Sequence, residues 1–109
     1  MSDVAADHVE IITETMILPK GCTEEDPEWH SWAIFVRWVT KGWAVTTVFH
    51  HERLSRAGKW SHYVPKFKRH QYTFETREEA MEWAYKVVDD RKVNFRTYAQ
   101  WQEKKASEK

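Results

Sequence analysis

Trp32-Ala33-Ile34-Phe35-Val36-Arg37-Trp38-Val39-Thr40-Lys41-Gly42-Trp43-Ala44-Val45-Thr46-Thr47-Val48-Phe49-His50-His51 is the stretch on which the fold turns. Side chains alternate across a strand, so Trp32, Ile34, Val36 and Trp38 share one face and Ala33, Phe35, Arg37 and Val39 the other. Thr40-Lys41-Gly42 supplies a turn with a residue that tolerates positive φ, and β-rich sequence resumes at Trp43. Residues 31–51 therefore read as a β-hairpin, with the strand before the turn starting near Trp29.

Upstream, Val9 to Leu18 is rich in β-branched residues and reads as another strand, preceded by a frayed end at residues 1–7. Pro19, Gly21 and Pro27 with the acids Glu24, Glu25, Asp26 and Glu28 punctuate a surface loop. Downstream, residues 52–70 are polar, basic and broken by Gly58 and Pro65. A mobile excursion or a long second hairpin is expected there, with one short strand at residues 60–64. Gln71-Tyr72-Thr73-Phe74 restores the β pattern and should close the sheet.

Thr76-Arg77-Glu78-Glu79 fits a capping box, in which the Thr hydroxyl accepts from an amide three residues on and Glu79 reaches back. On a helical wheel Ala80, Met81, Trp83, Ala84, Val87 and Val88 fall on one side and Glu78, Glu82, Lys86 and Asp89 on the other. The apolar arc continues through Phe95, Tyr98, Ala99 and Trp101, but Arg91 and Asn94 interrupt it. The pattern predicts a break near residues 93–94 and a second short helix to about Lys104, with residues 105–109 frayed. The expected architecture is α+β: an antiparallel sheet of three to five strands covered on one side by a C-terminal helix, whole or broken in two, in a single small domain over residues 1–109.

Composition bounds the function. The chain has 109 residues, 41% hydrophobic and 15% aromatic with seven Trp, enough apolar area to form a core despite 31% charge. The single cysteine cannot make an internal disulfide, and with six scattered His it offers no Cys-based zinc framework. No metal or other cofactor is expected. Adjacent His50 and His51 point to opposite faces of a strand and make a poor chelate. The acidic N-terminus lacks a basic leader, and the longest apolar run, residues 32–36, is far too short to span a membrane. A cytoplasmic protein without a membrane partner is the expectation.

Seventeen bases balance seventeen acids, yet the signs are segregated. Residues 1–30 hold eight acids and one base, a net −7, whereas residues 31–72 hold eight bases and one acid, a net +7. Either the two segments neutralise each other in the fold or the basic one is open to a polyanion. Arg37, Lys41, Arg53, Arg56, Lys59, Lys66, Lys68 and Arg69 are interleaved with Trp38, Trp43, Trp60, Tyr63 and Phe67. Cations release counterions from phosphates and aromatic faces stack on bases, so a non-enzymatic module that contacts DNA or RNA is the leading expectation. Its charge would come from Arg53, Arg56, Lys66, Lys68 and Arg69, and its stacking surfaces from Trp60 and Tyr63.

Tyr72-Thr73-Phe74-Glu75-Thr76-Arg77-Glu78-Glu79-Ala80, followed by Trp83-Ala84-Tyr85 and Val93-Asn94-Phe95, resembles the last strand, helix and closing Asn-Phe of the plant ethylene-response-factor DNA-binding domain. Related modules occur at the N-termini of some phage integrases. The likeness covers about residues 43–95. It implies a three-stranded sheet laid in the DNA major groove, with contacts from Arg37, Trp38, Trp43, Arg53 and Arg56.

Two other classes compete. A protein-binding adaptor or inhibitor could dock through Glu24, Glu25, Asp26, Glu28 and Trp29, or through a stripe of Phe95, Tyr98 and Trp101 that could equally join a homodimer. In general composition the chain resembles small phage proteins that modulate host or defence factors. A metal-independent ribonuclease could use His62 and His70 as general base and acid beside Lys66, Lys68 and Arg69. No nucleophile elbow, Gly-rich phosphate loop or paired-acid motif supports another enzyme class.

Overall fold

The computed structural model describes residues 13–39, 42–62 and 64–108, with the side chains of all of these except His50, Lys66 and Phe67. Lys41 and Tyr63 therefore lie outside the described residues, as do the expected frayed end at 1–7 and the first part of the expected strand at 9–18.

Among the described residues, five antiparallel strands run β1 (Glu14–Ile17), β2 (Ile34–Val39), β3 (Gly42–Thr47), β4 (Arg53–Leu54) and β5 (Trp60–Ser61), side by side in chain order. The hairpin read from residues 31–51 is the centre of this sheet. Ile34 pairs with Thr47, Val36 with Val45 and Trp38 with Trp43. Alternation sends Ile34, Val36 and Val45 to one face, where none is accessible to solvent. There they meet Ile17, Leu54 and Phe74 and the helix α2 (Arg77–Val88). Ala80, Ala84 and Val88 of that helix are buried, and Met81, Trp83 and Val87 pack at the margin, as the wheel anticipates. Removing each large aliphatic side chain from water contributes about 1.5–3 kcal/mol.

Thr76 caps α2, its hydroxyl accepting from the Glu79 amide at 3.1 Å. The reciprocal bond differs from expectation, because the Glu79 carboxylate accepts from the Glu75 amide (3.3 Å) rather than from Thr76.

Three other expectations are corrected. The segment from Trp29 does not begin a strand: Trp29–Trp32 form one helical turn, α1, and β2 starts only at Ile34. The Asp26 side chain accepts from the Glu28 amide and its carbonyl from the Trp29 amide, which starts the turn and buries Trp32 away from the main core. Residues 71–74 do not close the sheet. Pro65 leads into a 3₁₀ segment, Lys66–Tyr72, and only Phe74 reaches β3, exchanging two hydrogen bonds with Trp43 (2.9 and 2.7 Å). Gly42 permits that approach, since a Cβ there would lie 2.8 Å from the Phe74 carbonyl oxygen. Finally, α3 (Tyr98–Ser107) outruns Lys104 and includes residues expected to fray; among them Lys105 meets Glu28 in an exposed ion pair (2.8 Å).

Residues 52–70 resolve into a short second hairpin and the 3₁₀ segment. Arg53 faces Ser61 and Leu54 faces Trp60, and the reversal between them carries Gly58 at φ 82°. The Ser55 hydroxyl accepts from the amides of Ala57 and Lys59, pinning the loop. Gly58 lies against Trp83, whose ring would stand 2.9 Å from an added Cβ.

The helices break where expected. Val93 and Arg96 exchange hydrogen bonds across a two-residue turn whose central residues, Asn94 and Phe95, have φ of 51° and 72°. Asn tolerates this conformation; Phe does so rarely.

Candidate nucleic-acid interface

The sheet's two faces separate the cations from the tryptophans. Alternation puts Trp38, Trp43 and Trp60 on the α2 side, whereas Arg37 and Arg53 leave from the other. Trp43 and Trp60 pack against the main core, and the Arg91 guanidinium lies 5.7 Å from the Trp60 ring centroid. Trp38 is 52% exposed and meets Trp43 edge to face. The five positions that the DNA-binding resemblance implies thus do not share a face. Trp60, expected to stack beside the cations, is turned toward the helix instead.

On the face away from α2, Arg37 is already engaged. Its Nε donates to the buried Thr46 hydroxyl at 3.0 Å, its guanidinium covers the Phe35 ring, and it forms an ion pair with Glu14. Arg53 differs. Its Nε is buried and donates to no acceptor, and no described carboxylate forms an ion pair with it. Burial and the neighbouring Arg69 charge both pull its pKa below the usual guanidinium value. Its chain neighbour Glu52 points away, to Arg91 at 3.2 Å, with the His62 ring 3.7 Å from its other oxygen. Arg53, Ser61, His62 and Val64 wall a pocket of about 210 Å³.

On the hairpin tip and the 3₁₀ segment, Arg56, Lys59, Lys68 and Arg69 are exposed. The Arg56 Nε donates to the Thr73 carbonyl at 2.6 Å, and its amide donates to Gln71, tying the hairpin tip to the 3₁₀ segment. Arg53, Arg56, Lys59 and Arg69 form no ion pair with any described acid. His70 is exposed at the end of the segment, and no described contact joins it to His62.

The acidic loop is oriented elsewhere. Asp26 accepts from the Tyr98 hydroxyl at 2.8 Å, Glu28 takes Lys105, and the Lys20 amide donates to Asp89. Glu24 and Glu25 stay in solvent. Cys22, Trp32 and Tyr98 form a second small core, flanked by Leu18, Trp29, Val93 and Trp101. The Glu28 amide, more than the Tyr98 hydroxyl, holds the Asp26 carboxyl below its usual range. Burial and Asp26 push the Tyr98 phenol up, and burial raises the Cys22 thiol. Of the two surfaces read as alternative docking sites, Asp26, Glu28 and Trp29 of the first thus meet α3 of the second, and Glu24 and Glu25 do not. Phe95 of that stripe stays out, 93% exposed.

Ser61 escapes sequence reasoning, although the Gly58 turn, once its register is read, pairs it with Arg53. Phe49 is also missed: it sits at φ 56° in the β3–β4 connection and is 78% exposed, and no sequence signal marks a Phe for that conformation. No group of His, Cys, Asp and Glu suited to hold a metal occurs among the described residues, and no described helix is long and apolar enough to cross a membrane. In comparison with known proteins, the chain matches no family model, no curated protein and no solved structure.

Proposed function

We propose that the protein is a binding module that contacts nucleic acid through the cationic hairpin and 3₁₀ segment, gripping phosphates rather than catalysing a reaction on them. The carrying observation is the set of cations without acidic partners among the described residues, Arg53, Arg56, Lys59 and Arg69, while the acidic loop is engaged by α3. Clustered cations without counter-charges attract a polyanion by releasing its condensed counterions. With the tryptophans on the helix side, charge rather than stacking on Trp60 supplies the affinity, which favours backbone contact over base reading.

The test is fluorescence anisotropy of a labelled oligonucleotide, single-stranded and duplex, across a salt series. Four phosphate contacts predict a slope of log affinity against log salt of about −3. Lys59→Glu combined with Arg69→Glu should make the slope shallower by about 2 and weaken binding at least tenfold. A flat response in the unaltered protein overturns the reading.

A second reading, a protein-binding adaptor or inhibitor, is favoured by one observation: Phe95 is held at positive φ with its ring in solvent. Strained, exposed aromatics are frequent anchors for partners. A stoichiometric partner that survives nuclease and is lost on Phe95→Ser would support it; recovery only with intact nucleic acid would count against it.

A further inference from the structure

The pocket beside Arg53 is more specific than a general cationic surface. A phosphate backbone running across a protein is met by flexible exposed side chains, and Arg56, Lys59 and Arg69 are of that kind. Arg53 is held in the sheet, opposite Thr46 on one side and Ser61 on the other, with its Nε withdrawn from water and unpaired. The Nε is out of an entering ligand's reach, but no described acid neutralises the guanidinium, and the terminal fork of a guanidinium matches the geometry of two phosphate oxygens. Ser61 and His62 also line the pocket, with Val64 as an apolar side. Arg69 contributes a second positive charge close enough to perturb Arg53. A group that enters the pocket from outside with two negative charges on one tetrahedral centre gains more from Arg53 than a diester, which carries one charge and two bulky substituents.

We propose that the pocket walled by Arg53, Ser61, His62 and Val64 is an anion site for a phosphomonoester, and, resting on the nucleic-acid function proposed above, for the phosphorylated end of a strand.

The experiment compares one oligonucleotide with a 5′-phosphate, a 3′-phosphate or neither, in anisotropy at fixed ionic strength. In a separate arm, thermal unfolding is followed with inorganic phosphate or with chloride at matched ionic strength. A phosphorylated end should bind about tenfold more tightly than the hydroxyl form, the scale of one charge-assisted contact. Inorganic phosphate should raise the melting temperature and compete for the phosphorylated oligonucleotide. Arg53→Met and Arg69→Gln should each shrink the tenfold preference toward unity, the second variant altering only an exposed residue. Equal affinity for all three ends overturns the site while the backbone reading stands. Where no oligonucleotide binds, the function proposed above fails. The phosphate arm then decides alone: stabilisation lost in both variants supports the site for a small phosphomonoester, and no stabilisation overturns it.

Discussion

The acidic segment at residues 1–30 and the basic segment at residues 31–72 carry net charges of −7 and +7, yet the fold treats them differently. Three acids of the described part of the acidic segment are drawn into the structure: Glu14 meets Arg37, Asp26 meets Tyr98 and Glu28 meets Lys105. In the basic segment Arg56 donates to the Thr73 carbonyl, and Arg53, Arg56, Lys59 and Arg69 pair with no described acid. Asp26 and Glu28 both reach α3, at partners 72 and 77 positions away in the chain. Among the described residues, Glu14 neutralises a cation of the basic segment, whereas Asp26 and Glu28 turn away from it, because the loop at 19–28 leaves β1 toward the side on which α3 docks. A charged segment's availability depends on which element is delivered to it.

Several changes would break or sharpen this contrast. The largest effect is expected from Tyr98→Ala, which opens the small core and releases Asp26. Unfolding stability should fall by about 3 kcal/mol in urea titration, and a loss under about 1 kcal/mol would mean that α3 does not hold the acidic loop. Next comes a comparison of signs. Tyr98→Phe removes a satisfied hydrogen bond and should cost about 1 kcal/mol, whereas Arg53→Met removes a buried donor without a partner and should leave stability equal or up to about 1 kcal/mol higher. Destabilisation of the same size in both would erase the distinction between the regions.

Phe95→Gly should stabilise by about 1 kcal/mol, since glycine occupies the left-handed region without Cβ crowding and an exposed ring gives up little packing. A lowered melting temperature would show that the ring packs in solution. A smaller effect is expected from pH. The folded pKa of Asp26 lies below its ordinary value near 3.8, so its stabilisation is present above that value and disappears as pH falls through the folded one. The stability gap between the unaltered protein and Asp26→Asn should therefore narrow on acidification from about pH 5 toward about pH 2. A constant gap would show that the carboxylate's charge is not what holds the loop. Lys105→Ala should have the smallest effect, no resolvable shift in the urea midpoint, because an exposed ion pair is screened by water and salt. A clear shift would make that pair a principal tie between loop and helix.

Where local physics dominates, the fold was legible. The 34–47 hairpin follows from alternating side chains about Gly42, and α2 from Thr76 and an arc of Ala, Val and Trp. The break at Asn94 also came from local pattern. Legibility failed where a distant partner intervened. Trp32 reads as strand but joins α1, since Cys22 and Tyr98 provide the cavity that its ring fills. Tyr72 reads as strand but ends a 3₁₀ segment, since only Phe74 reaches the free edge of β3. For the candidate site, the charges were visible in the sequence; their separation from Trp60 was not, because it depends on the register of two strands of two residues each.

The sequence by itself determined the α+β class, the central hairpin, the capped helix and the segregation of charge, because alternation, helical periodicity and capping act over a few residues. Only the tertiary structure decided that Arg53, Arg56, Lys59 and Arg69 rather than Arg37 lack a described acid, and that Asp26 and Glu28 turn to α3. Those outcomes depend on contacts between segments far apart in the chain, and chain connectivity and packing choose among them after the local elements have formed.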